Sequence, residues 1–532
     1  MTLTITRRTD ALSTAPQITV ADLHTIAEQG FKTIINNRPD GEGGAAQATS
    51  AELGKAAQAL GLHYAYLPVI SGQITGEQVD QFAKLLASSP SPILAFCRSG
   101  ARSQTIFQLA SANPSAVGQT APACQWESRH DILIVGGGSG GIGVAASLLR
   151  RQPNLQIAII EPRDKHYYQP AWTLVGAGEF DPRDSERNMA EVIPKGVRWI
   201  RAAVTGFDPD RKQVHLDRGD PLTYQNLIVA PGLKLDWEAI PGLQESLGKN
   251  GVTSNYRFDL APYTWKLVQA MRSGKAIFTQ PPMPIKCAGA PQKAMYLSCS
   301  EWEKQGSLKN IHVEFNNAGA VLFGVATFVP PLMEYVKRYA IDLQFGSRLV
   351  RVDGEEKKAW FESKDAQGNL QLVEKHFDML HVVPPQCAPD FIKQSLLANV
   401  EGWIEVDQTT LQHTRYADVF SLGDACSSPN AKTAAAVRKQ IVVVAENLLA
   451  YRAGRSLPTR YDGYGSCPLT VEKGRIVLAE FGFGGKLLPS FPLDPAVPRL
   501  SAWLLKKYIL PSVYWDVMLK GREWLARPSI SK

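Results

Sequence analysis

The segment 130–161 constrains the fold of this chain more than any other stretch of its sequence. It reads HDILIV, GGGSGG and IGVAASLLRR, and it ends with QIAIIE, an order that predicts a strand, a turn, a helix and a second strand. Gly136, Gly138 and Gly141 form GxGxxG, and Glu161 follows the last glycine by twenty residues. Such a turn brings backbone close to a pyrophosphate at a helix N-terminus, and the acid binds a ribose hydroxyl. We therefore predict a parallel α/β unit that holds a dinucleotide.

Two later segments favour FAD as that dinucleotide. TYQNLIVAPG, at 223–232, resembles the strand that returns to the cofactor in flavin-dependent reductases. ADVFSLGDA places Gly423 and Asp424 at the end of a further strand, where an aspartate typically binds the ribityl and phosphate part of FAD. The next segment, AKTAAAVRKQ, begins a helix whose N-terminus would face the flavin. We therefore expect FAD as the cofactor.

A second dinucleotide fingerprint, which would hold NADH, is missing from the expected place. The segment NIHVEFNNAGAVLFGV carries only the scattered glycines Gly319 and Gly324. We therefore expect no tight NAD(P)H site and a different electron donor.

Length and composition narrow the class of protein. A chain of 532 residues predicts three to four domain-sized units, and a net charge of +7 is too small for that length to indicate nucleic-acid binding. Seven widely spaced cysteines do not look like a secreted disulfide framework. The start, MTLTITRRTDALSTAPQ, lacks the apolar core of a signal peptide, and no run of 18 apolar residues occurs. We expect a cytoplasmic protein without a spanning helix.

The stretch QPPMPIKCAGAPQKAMYLS, residues 280–298, predicts a shaped loop followed by a helix. Three prolines precede Cys287, and Lys286 lies beside it. A neighbouring cation and a helix N-terminus both stabilise a thiolate, whereas a buried inert cysteine is the ordinary alternative. The loop therefore favours a reactive Cys287, while Cys299 and Cys124 are interpreted as a helix cysteine and a linker cysteine.

Four motifs in the second part of the chain resemble the mitochondrial-type branch of the sulfide:quinone oxidoreductases. They are EPRDKHYYQPAWTLVGAG, IKCAGAPQKAMYLS, KTAAAV and YDGYGSCPL, and the resemblance extends over 129–525. It implies FAD beside two redox cysteines, which match Cys287 and Cys467. It also implies cofactor contacts at Gln169, Val204, Asp424 and Lys432.

The same resemblance implies a reaction. Sulfide attacks a Cys287–Cys467 disulfide, one cysteine becomes a persulfide, and electrons pass through FAD to a quinone. A small thiol or a sulfur oxyanion, such as glutathione or sulfite, then takes the sulfane sulfur. Cys426, which follows Gly-Asp-Ala, and Cys387, which follows VVPPQ, are rival partners for Cys287. The quinone and the oligomeric state stay open.

The end of the chain, RLSAWLLKKYILPSVYWDVMLKGREWLARPSISK, has a different character. It contains seven Lys/Arg, two Asp/Glu and three tryptophans: Trp503, Trp515 and Trp524. Aromatic and basic residues suit the surface of an anionic membrane, on which we expect two short amphipathic helices around Pro511. A helix that covers the core or joins a dimer is the alternative. With no signal peptide or spanning helix, we expect a peripheral protein on the cytoplasmic face of the inner membrane.

Residues 15–112 alternate helical and strand patterns, which predicts a small, mostly parallel sheet. Within them SPILAFCRSGARS leads a buried strand into a loop that holds Cys97, Arg98 and Arg102. Four residues separate Cys97 from Arg102, whereas tyrosine phosphatases place five between cysteine and arginine. The loop resembles that of rhodaneses, which carry a cysteine persulfide, and its arginines would hold an anion.

Upstream of that loop, INNRPDGE places Asp40 after a strand. With the surrounding pattern it resembles a family of phosphatase-fold proteins that are often fused to sulfur enzymes. Asp40 is then either a general acid or a turn cap. Sulfur transfer is the favoured role for Cys97, with a phosphatase nucleophile or a structural cysteine as alternatives.

These patterns predict an α/β protein with a dual-specificity-phosphatase-like domain followed by a two-Rossmann-type fold like that of FAD-dependent pyridine-nucleotide-disulfide reductases. The favoured function is a sulfide:quinone oxidoreductase with a sulfurtransferase domain. Alternatives are a phosphatase fused to an NAD(P)H- or quinone-linked FAD oxidoreductase, and a redox sensor. The predicted parts are the sulfurtransferase 1–112, the linker 113–128, the oxidoreductase 129–490 (FAD halves 129–235 and 376–466, second Rossmann-like unit 236–375) and the tail 491–532.

Overall fold

The computed structural model of the chain describes residues 5–9, 11–44, 47–70, 74–112, 128–429, 431–526 and 529–530. Cys124 and all but the last residue of the predicted linker lie outside these ranges. The chain divides into two compact units, Met1–Ala123 and Cys124–Lys532. Each contains strands and helices in alternation, and the predicted α/β fold class is confirmed.

The first unit is a five-stranded sheet with helices on both faces. Its strand order is β1-β2-β5-β3-β4, with only β1 antiparallel to its neighbour. Helices α1 and α2 pack on one face, and α3 and α4 pack on the other. The elements are β1 Thr6–Arg7, β2 Leu12–Ala15, α1 Asp22–Glu28, β3 Thr33–Asn36, α2 Ser50–Ala59, β4 His63–Tyr66, α3 Gly76–Ser88, β5 Ile93–Phe96 and α4 Ala101–Ala112.

Every residue of the central strands TIIN and ILAF is buried, and this burial on both faces explains why neither strand alternates apolar and polar residues. Strand β5 ends at Phe96, and α4 begins at Ala101. The intervening loop is therefore short, and it places Cys97 at the C-terminal edge of the parallel strands.

The second unit contains the strands β6 Arg129–Val135, β7 Ile157–Ile160, β8 Lys165–Tyr167, β9 Glu186–Asn188, β10 Val197–Ile200, β11 Val204–Asp208, β12 Gln213–Leu216, β13 Leu222–Val229, β14 Lys234–Leu235, β15 Val252–Thr253, β16 Gly274–Gln280, β17 Ile311–Asn317, β18 Asp342–Phe345, β19 Arg348–Asp353, β20 Lys358–Lys364, β21 Leu370–His376, β22 Met379–His381, β23 Gln386–Cys387, β24 Val419–Ser421, β25 Thr459–Arg460, β26 Gly465–Glu472, β27 Arg475–Phe481 and β28 Ser529–Ile530. Its helices are α5 Ser139–Arg151, α6 Trp172–Val175, α7 Met189–Val192, α8 Leu243–Ser246, α9 Ala261–Ala270, α10 Ala290–Lys304, α11 Val329–Arg338, α12 Asp390–Lys393, α13 Ala434–Arg452, α14 Leu500–Leu504 and α15 Leu510–Ser512.

The first large sheet of this unit is built around the predicted dinucleotide motif. Its order is β10-β7-β6-β13-β12-β11, with β24 beside β13. The turn between β6 and α5 needs its glycines for space. A Cβ at Gly136 would lie 2.5 Å from the carbonyl oxygen of Ala230, and one at Gly141 would lie 1.9 Å from the oxygen of Gly136.

The second large sheet is parallel, in the order β15-β22-β16-β17-β18. The neighbouring strands β16 and β17 are joined by α10 in a β–α–β unit, and the turn between β16 and α10 is the loop 281–289. Sequence reasoning looked for a second dinucleotide fingerprint at 310–325, and that position is wrong. The structural equivalent of a second fingerprint is the loop that carries Cys287, whereas the segment 310–325 begins with the next strand.

The tail forms one helical run from Leu500 to Lys520, and the prediction of two helices broken at Pro511 is wrong. Wide π turns at Leu505–Ile509 and Val513–Val517 flank the proline. Proline lacks the N–H of a regular helical bond, and π turns on both sides accommodate that misfit. Among the described residues, no helix combines the length and apolar character needed to cross a bilayer.

One face of this tail helix packs on the body of the unit. Tyr514 is buried, and Glu523 bonds to Arg151 of α5. At Gly521 the backbone comes so close to α5 that a Cβ would lie 2.5 Å from the carbonyl carbon of Ala146. The tail therefore covers the core with one face, which was the alternative to membrane contact.

Candidate active site

The two cysteines paired by the family resemblance meet in the structure. Cys287 lies in the loop before α10 with a positive φ of 51°, and Cys467 lies on β26. Their Sγ atoms are 3.4 Å apart. That distance is longer than an S–S bond of about 2.05 Å, and it is close to the roughly 3.3 Å spanned by two such bonds through a bridging sulfur at a near-tetrahedral angle.

Lys293, rather than the adjacent Lys286, supplies the cation for this pair. Its Nζ lies 3.1 Å from Sγ of Cys287 and 3.8 Å from Sγ of Cys467. The hydrogen bond with Cys467, together with the Lys293 charge, holds the pKa of Cys287 well below its usual range. The bond to Cys287, together with burial, raises the pKa of Cys467. In the reduced pair the negative charge is therefore favoured on Cys287, the sulfur nearer to Nζ of Lys293, over Cys467.

Lys286 points elsewhere. Its Nζ donates to Oε1 of Gln169 at 2.6 Å, and burial lowers the pKa of Lys286 to about 8. Sequence reasoning chose Lys286 because it adjoins the cysteine, and it missed Lys293. A helix start at Ala290 would have shown that Lys293 lies in the first turn of α10, the part of the helix nearest to the cysteine loop.

A third lysine reaches this region from the tail. Nζ of Lys506 bonds to Oγ1 of Thr173 and of Thr470, each at 3.2 Å. Burial lowers the pKa of Lys506 well below its ordinary value, and the Lys293 charge lowers it further. Sequence reasoning counted Lys506 only as one of the seven basic residues of the tail, because the side of the helix on which it lies depends on how the tail docks.

One cavity of about 380 Å³ joins the cysteine pair to the glycine turn. Predicted cofactor residues share its wall with one of the cysteines and with part of the tail. They are Gly138, Glu161, Gln169, Gly423, Asp424 and Lys432, with Cys287, Lys293, Lys506 and Tyr514. Val204 is not among the residues that line this cavity; it begins β11 at the edge of the sheet.

The wall of the cavity fits a dinucleotide. Gly138 is the N-cap of α5, and α13 begins at Ala434, so two helix N-termini face the same space. Glu161 accepts a hydrogen bond from the backbone N–H of Gly137 at 2.9 Å, which places a carboxylate at the end of β7. The side-chain amide atoms of Asn255 are buried in the wall without a hydrogen-bond partner among the described residues.

Asp424 and Lys432 stand together at another part of the wall. Nζ of Lys432 donates to the backbone oxygens of Asp424 at 2.7 Å and of Cys426 at 3.3 Å. Burial raises the pKa of the Asp424 carboxyl. The lysine thus fixes the loop after β24, so that its residues face the cavity.

The rival cysteines lie in other surroundings. Cys426 is buried, its Sγ donates to the oxygen of Gly423 at 3.2 Å, and burial raises its pKa. Cys387 lies on β23, where it pairs with Lys234. Cys299 is buried in α10, and burial raises its pKa as well. Among the described residues, the cysteine sulfur in contact with Cys287 is that of Cys467.

The first unit holds a separate site around Cys97, which is fully buried after β5. Arg102, in the first turn of α4, interacts with the Cys97 thiol. Arg98 is exposed, and its backbone oxygen accepts a hydrogen bond from the backbone N–H of Gln17. The hydroxyl of Ser103 is buried without a hydrogen-bond partner among the described residues.

Asp40 and Glu42, on the loop upstream of Cys97, make different contacts. Asp40 is exposed, and its Oδ1 accepts from the backbone N–H of Ser50 at 2.7 Å, at the start of α2. This contact agrees with a turn cap. Glu42 instead bonds to Arg102. Sequence reasoning missed Glu42, although it lies two residues beyond Asp40 in the same loop.

Comparisons with known proteins match both units. Residues 4–114 match the family model "Beta-lactamase hydrolase-like protein, phosphatase-like domain", and residues 130–276 match "Pyridine nucleotide-disulphide oxidoreductase". The beta-lactamase hydrolase-like protein of Agrobacterium fabrum is 36% identical over 106 residues, which are 20% of this chain and 24% of that protein.

The second unit has relatives along most of its length. The mitochondrial sulfide:quinone oxidoreductase of Dictyostelium discoideum is 42% identical over 402 residues, which cover 75% of this chain and 88% of that protein. The X-ray structure of the sulfide:quinone oxidoreductase from Aquifex aeolicus superposes with a TM-score of 0.61 at 19% identity, covers 75% of this chain and 93% of that one, and so shows the same fold. The chain belongs to the sulfide:quinone oxidoreductase family.

Proposed function

We propose that this chain oxidises sulfide at Cys287 and Cys467 and delivers the electrons to a quinone. The observation that carries the proposal is the cysteine pair, 3.4 Å apart beside a buried cation, in contact with a cavity whose far wall is a dinucleotide turn. Membership of the family implies a flavin, and we propose FAD, held by the glycine turn, Glu161, Gln169, Asp424 and Lys432.

The chemistry of the pair assigns different tasks to the two sulfurs. Hydrosulfide attacks Cys467 in the disulfide, so that a new S–S bond forms on Cys467, the Cys287–Cys467 bond breaks, and its electron pair leaves with Cys287. Cys287 is the better leaving group because Lys293 stabilises its thiolate. A bound FAD would supply the two-electron acceptor through which the electrons reach a quinone.

Turnover requires removal of the sulfane sulfur. A thiol or sulfite attacks the outer sulfur of the Cys467 persulfide, a bond forms between that sulfur and the acceptor, and Cys467 is released as a thiol. The disulfide then re-forms with loss of two electrons. In total, sulfide and the acceptor form a persulfide or thiosulfate, while the quinone gains two electrons and two protons.

The test is anaerobic addition of sulfide to the yellow holoprotein. Cys287→Ser and Cys467→Ser should each abolish bleaching of the flavin absorbance, since each removes one sulfur of the disulfide, while Cys387→Ser should bleach at the wild-type rate. NADH should bleach none of them. Bleaching by NADH alone, or bleaching of Cys467→Ser by sulfide at the normal rate, would contradict the proposal.

We propose that the outer face of the tail lies on the membrane. Leu500, Leu504, Tyr508 and Ile509 are 54%, 44%, 60% and 48% exposed at helical spacing. On the other side, Leu505, Leu510 and Val513 line the cavity. Because a quinone is dissolved in lipid, a helix with one apolar face outward and one toward the site suits its entry. Peripheral attachment to the cytoplasmic face of the inner membrane stays a prediction.

We also propose that Cys97 carries sulfur as a persulfide. Two observations support this proposal. Cys97 lies between a buried strand and the N-terminus of α4, and Arg102 interacts with its thiol. The covalent link to a sulfide-oxidising unit would also raise the local concentration of sulfane sulfur. The thiol attacks a sulfane sulfur, the bond to the donor breaks, and the donor leaves as a thiolate.

A further inference from the structure

Glu42 occupies the guanidinium fork of Arg102. Nη1 and Nη2 of the arginine donate to the two carboxylate oxygens of Glu42 at 2.8 Å and 2.7 Å. This is the two-point geometry with which an arginine binds a phosphate, a sulfate or another oxyanion. A carboxylate of the chain itself therefore holds the place of an anionic ligand.

The remaining donors of Arg102 are also largely committed. Nη1 donates to the carbonyl oxygen of Val69 at 2.7 Å, and the guanidinium interacts with the thiol of Cys97. Three of the five N–H groups of an arginine are thus used by Glu42 and Val69. An incoming oxyanion cannot bind the fork in two places while Glu42 stays.

Glu42 is a strong competitor for that place. The Arg102 side chain is 10% exposed, and Nε of Arg38 lies 3.7 Å from the same carboxylate. The hydrogen bond from Arg102 lowers the pKa of Glu42, so the carboxylate is charged at neutral pH. Displacement would separate an ion pair whose arginine is largely buried, while the Glu42 side chain, 28% exposed, would gain contact with water.

We propose that Glu42 sets the substrate class of the Cys97 loop by excluding doubly charged oxyanions and admitting sulfane sulfur carried on a small organic thiol. The inference rests on the proposed sulfur transfer and deepens it. Phosphate and thiosulfate bring two charges that need the fork. A persulfide RS–SH needs only its outer sulfur to reach Cys97: the Cys97–sulfur bond forms, the RS–S bond breaks, and RS⁻ leaves with the electron pair.

The experiment compares donors on the full-length protein, with cyanide as sulfur acceptor. Wild type should use glutathione persulfide with a higher kcat/KM than thiosulfate. Glu42→Gln frees the fork and should raise kcat/KM for thiosulfate by about tenfold to a hundredfold, the range expected for a charged hydrogen bond, with little change for the persulfide. The matched control is Glu28→Gln, an exposed carboxylate on α1 of the same unit.

A second measurement does not need turnover. Inorganic phosphate should slow alkylation of Cys97 by iodoacetamide in Glu42→Gln and leave the rate unchanged in wild type, as read by mass spectrometry of the Cys97 peptide. Equal protection of both proteins, or wild type using thiosulfate as well as persulfide, would overturn the role of Glu42. If Cys97→Ser kept full sulfur-transfer activity, the proposed function of Cys97 would be wrong. That result differs from the results that would overturn the role of Glu42, so the two failures can be told apart.

Discussion

At the scale of single residues, the site depends on charges that the fold brings to the two sulfurs. Lys293 is 4% exposed and contacts both Sγ atoms, and Lys506 approaches from a segment more than two hundred residues away in sequence. The cation nearest to Cys287 in sequence, Lys286, bonds to Gln169 instead.

Lys293→Met should weaken sulfide oxidation, because Met fills the volume without the charge that stabilises the Cys287 thiolate. The thiolate exists above the pKa of Cys287, so activity falls as pH drops through that pKa. Without the cation this pKa rises, and the acid limb of the pH–rate profile should move to higher pH, with a loss of about tenfold or more near neutral pH.

Two companions make this measurement specific. Lys293→Arg keeps the charge and should restore the acid limb toward that of wild type. Lys304→Met removes an exposed lysine from the last turn of the same helix and should leave the profile unchanged. An unmoved acid limb in Lys293→Met would show that the lysine does not control the thiolate.

At the scale of elements, the tail helix joins the body of the unit to the nucleotide turn. Nε2 of His166 lies 2.6 Å from the hydroxyl of Tyr514, and Nδ1 lies 2.9 Å from the oxygen of Gly137. Burial lowers the pKa of His166 to about 4, so the ring is neutral above that pH. Because a carbonyl only accepts, Nδ1 carries the proton and Tyr514 donates to Nε2.

Tyr514→Phe should therefore loosen the flavin. The substitution leaves Nε2 of His166 without a donor, and the turn that His166 supports loses part of its order. We expect roughly tenfold weaker flavin retention, as for a buried unsatisfied group, measured as flavin released on dilution. Tyr508→Phe, on the exposed side of the same helix, is the control, and equal retention in both would contradict this coupling.

The outer face of the same helix carries a prediction about lipid. Leu504→Glu with Ile509→Glu should abolish sedimentation with anionic liposomes, since each charge would have to enter the interface. Leu370→Glu with Leu372→Glu alters two leucines on β21 that are more exposed than the tail pair, and this variant should sediment as wild type does. Sedimentation of the tail variant would place the membrane contact elsewhere.

Point substitutions are preferable to truncation at residue 495, which would also remove Lys506 and Tyr514.

Comparison of the elements with the sequence shows which features local sequence pattern can predict. The strand, turn and helix at 130–151 and the strand before Cys97 follow from patterns complete within a few residues, and the structure has them. The path of the helix through Pro511 depends on packing against α5, to which the local sequence has no access. For the same reason Lys293 and Glu42, placed by tertiary contacts, were missed while their neighbours Lys286 and Asp40 were chosen.

At the scale of the whole molecule, each of the two compact units carries one of the two proposed sulfur sites. Cys97→Ser should eliminate sulfur transfer from glutathione persulfide to cyanide. Sulfide-dependent quinone reduction with sulfite as acceptor should stay within about twofold of wild type, as for independent sites. A matched loss of both activities would show that sulfur must pass through Cys97 for turnover.

The loop after β16 bears on which electron donor this chain can use. In a parallel sheet of this kind a nicotinamide dinucleotide would dock at the turn between a central strand and its helix, and here the turn between β16 and α10 carries Cys287 and is rich in proline. We therefore expect reducing equivalents to enter this chain as sulfur chemistry, and we expect NADH not to compete with sulfide for reduction of the flavin.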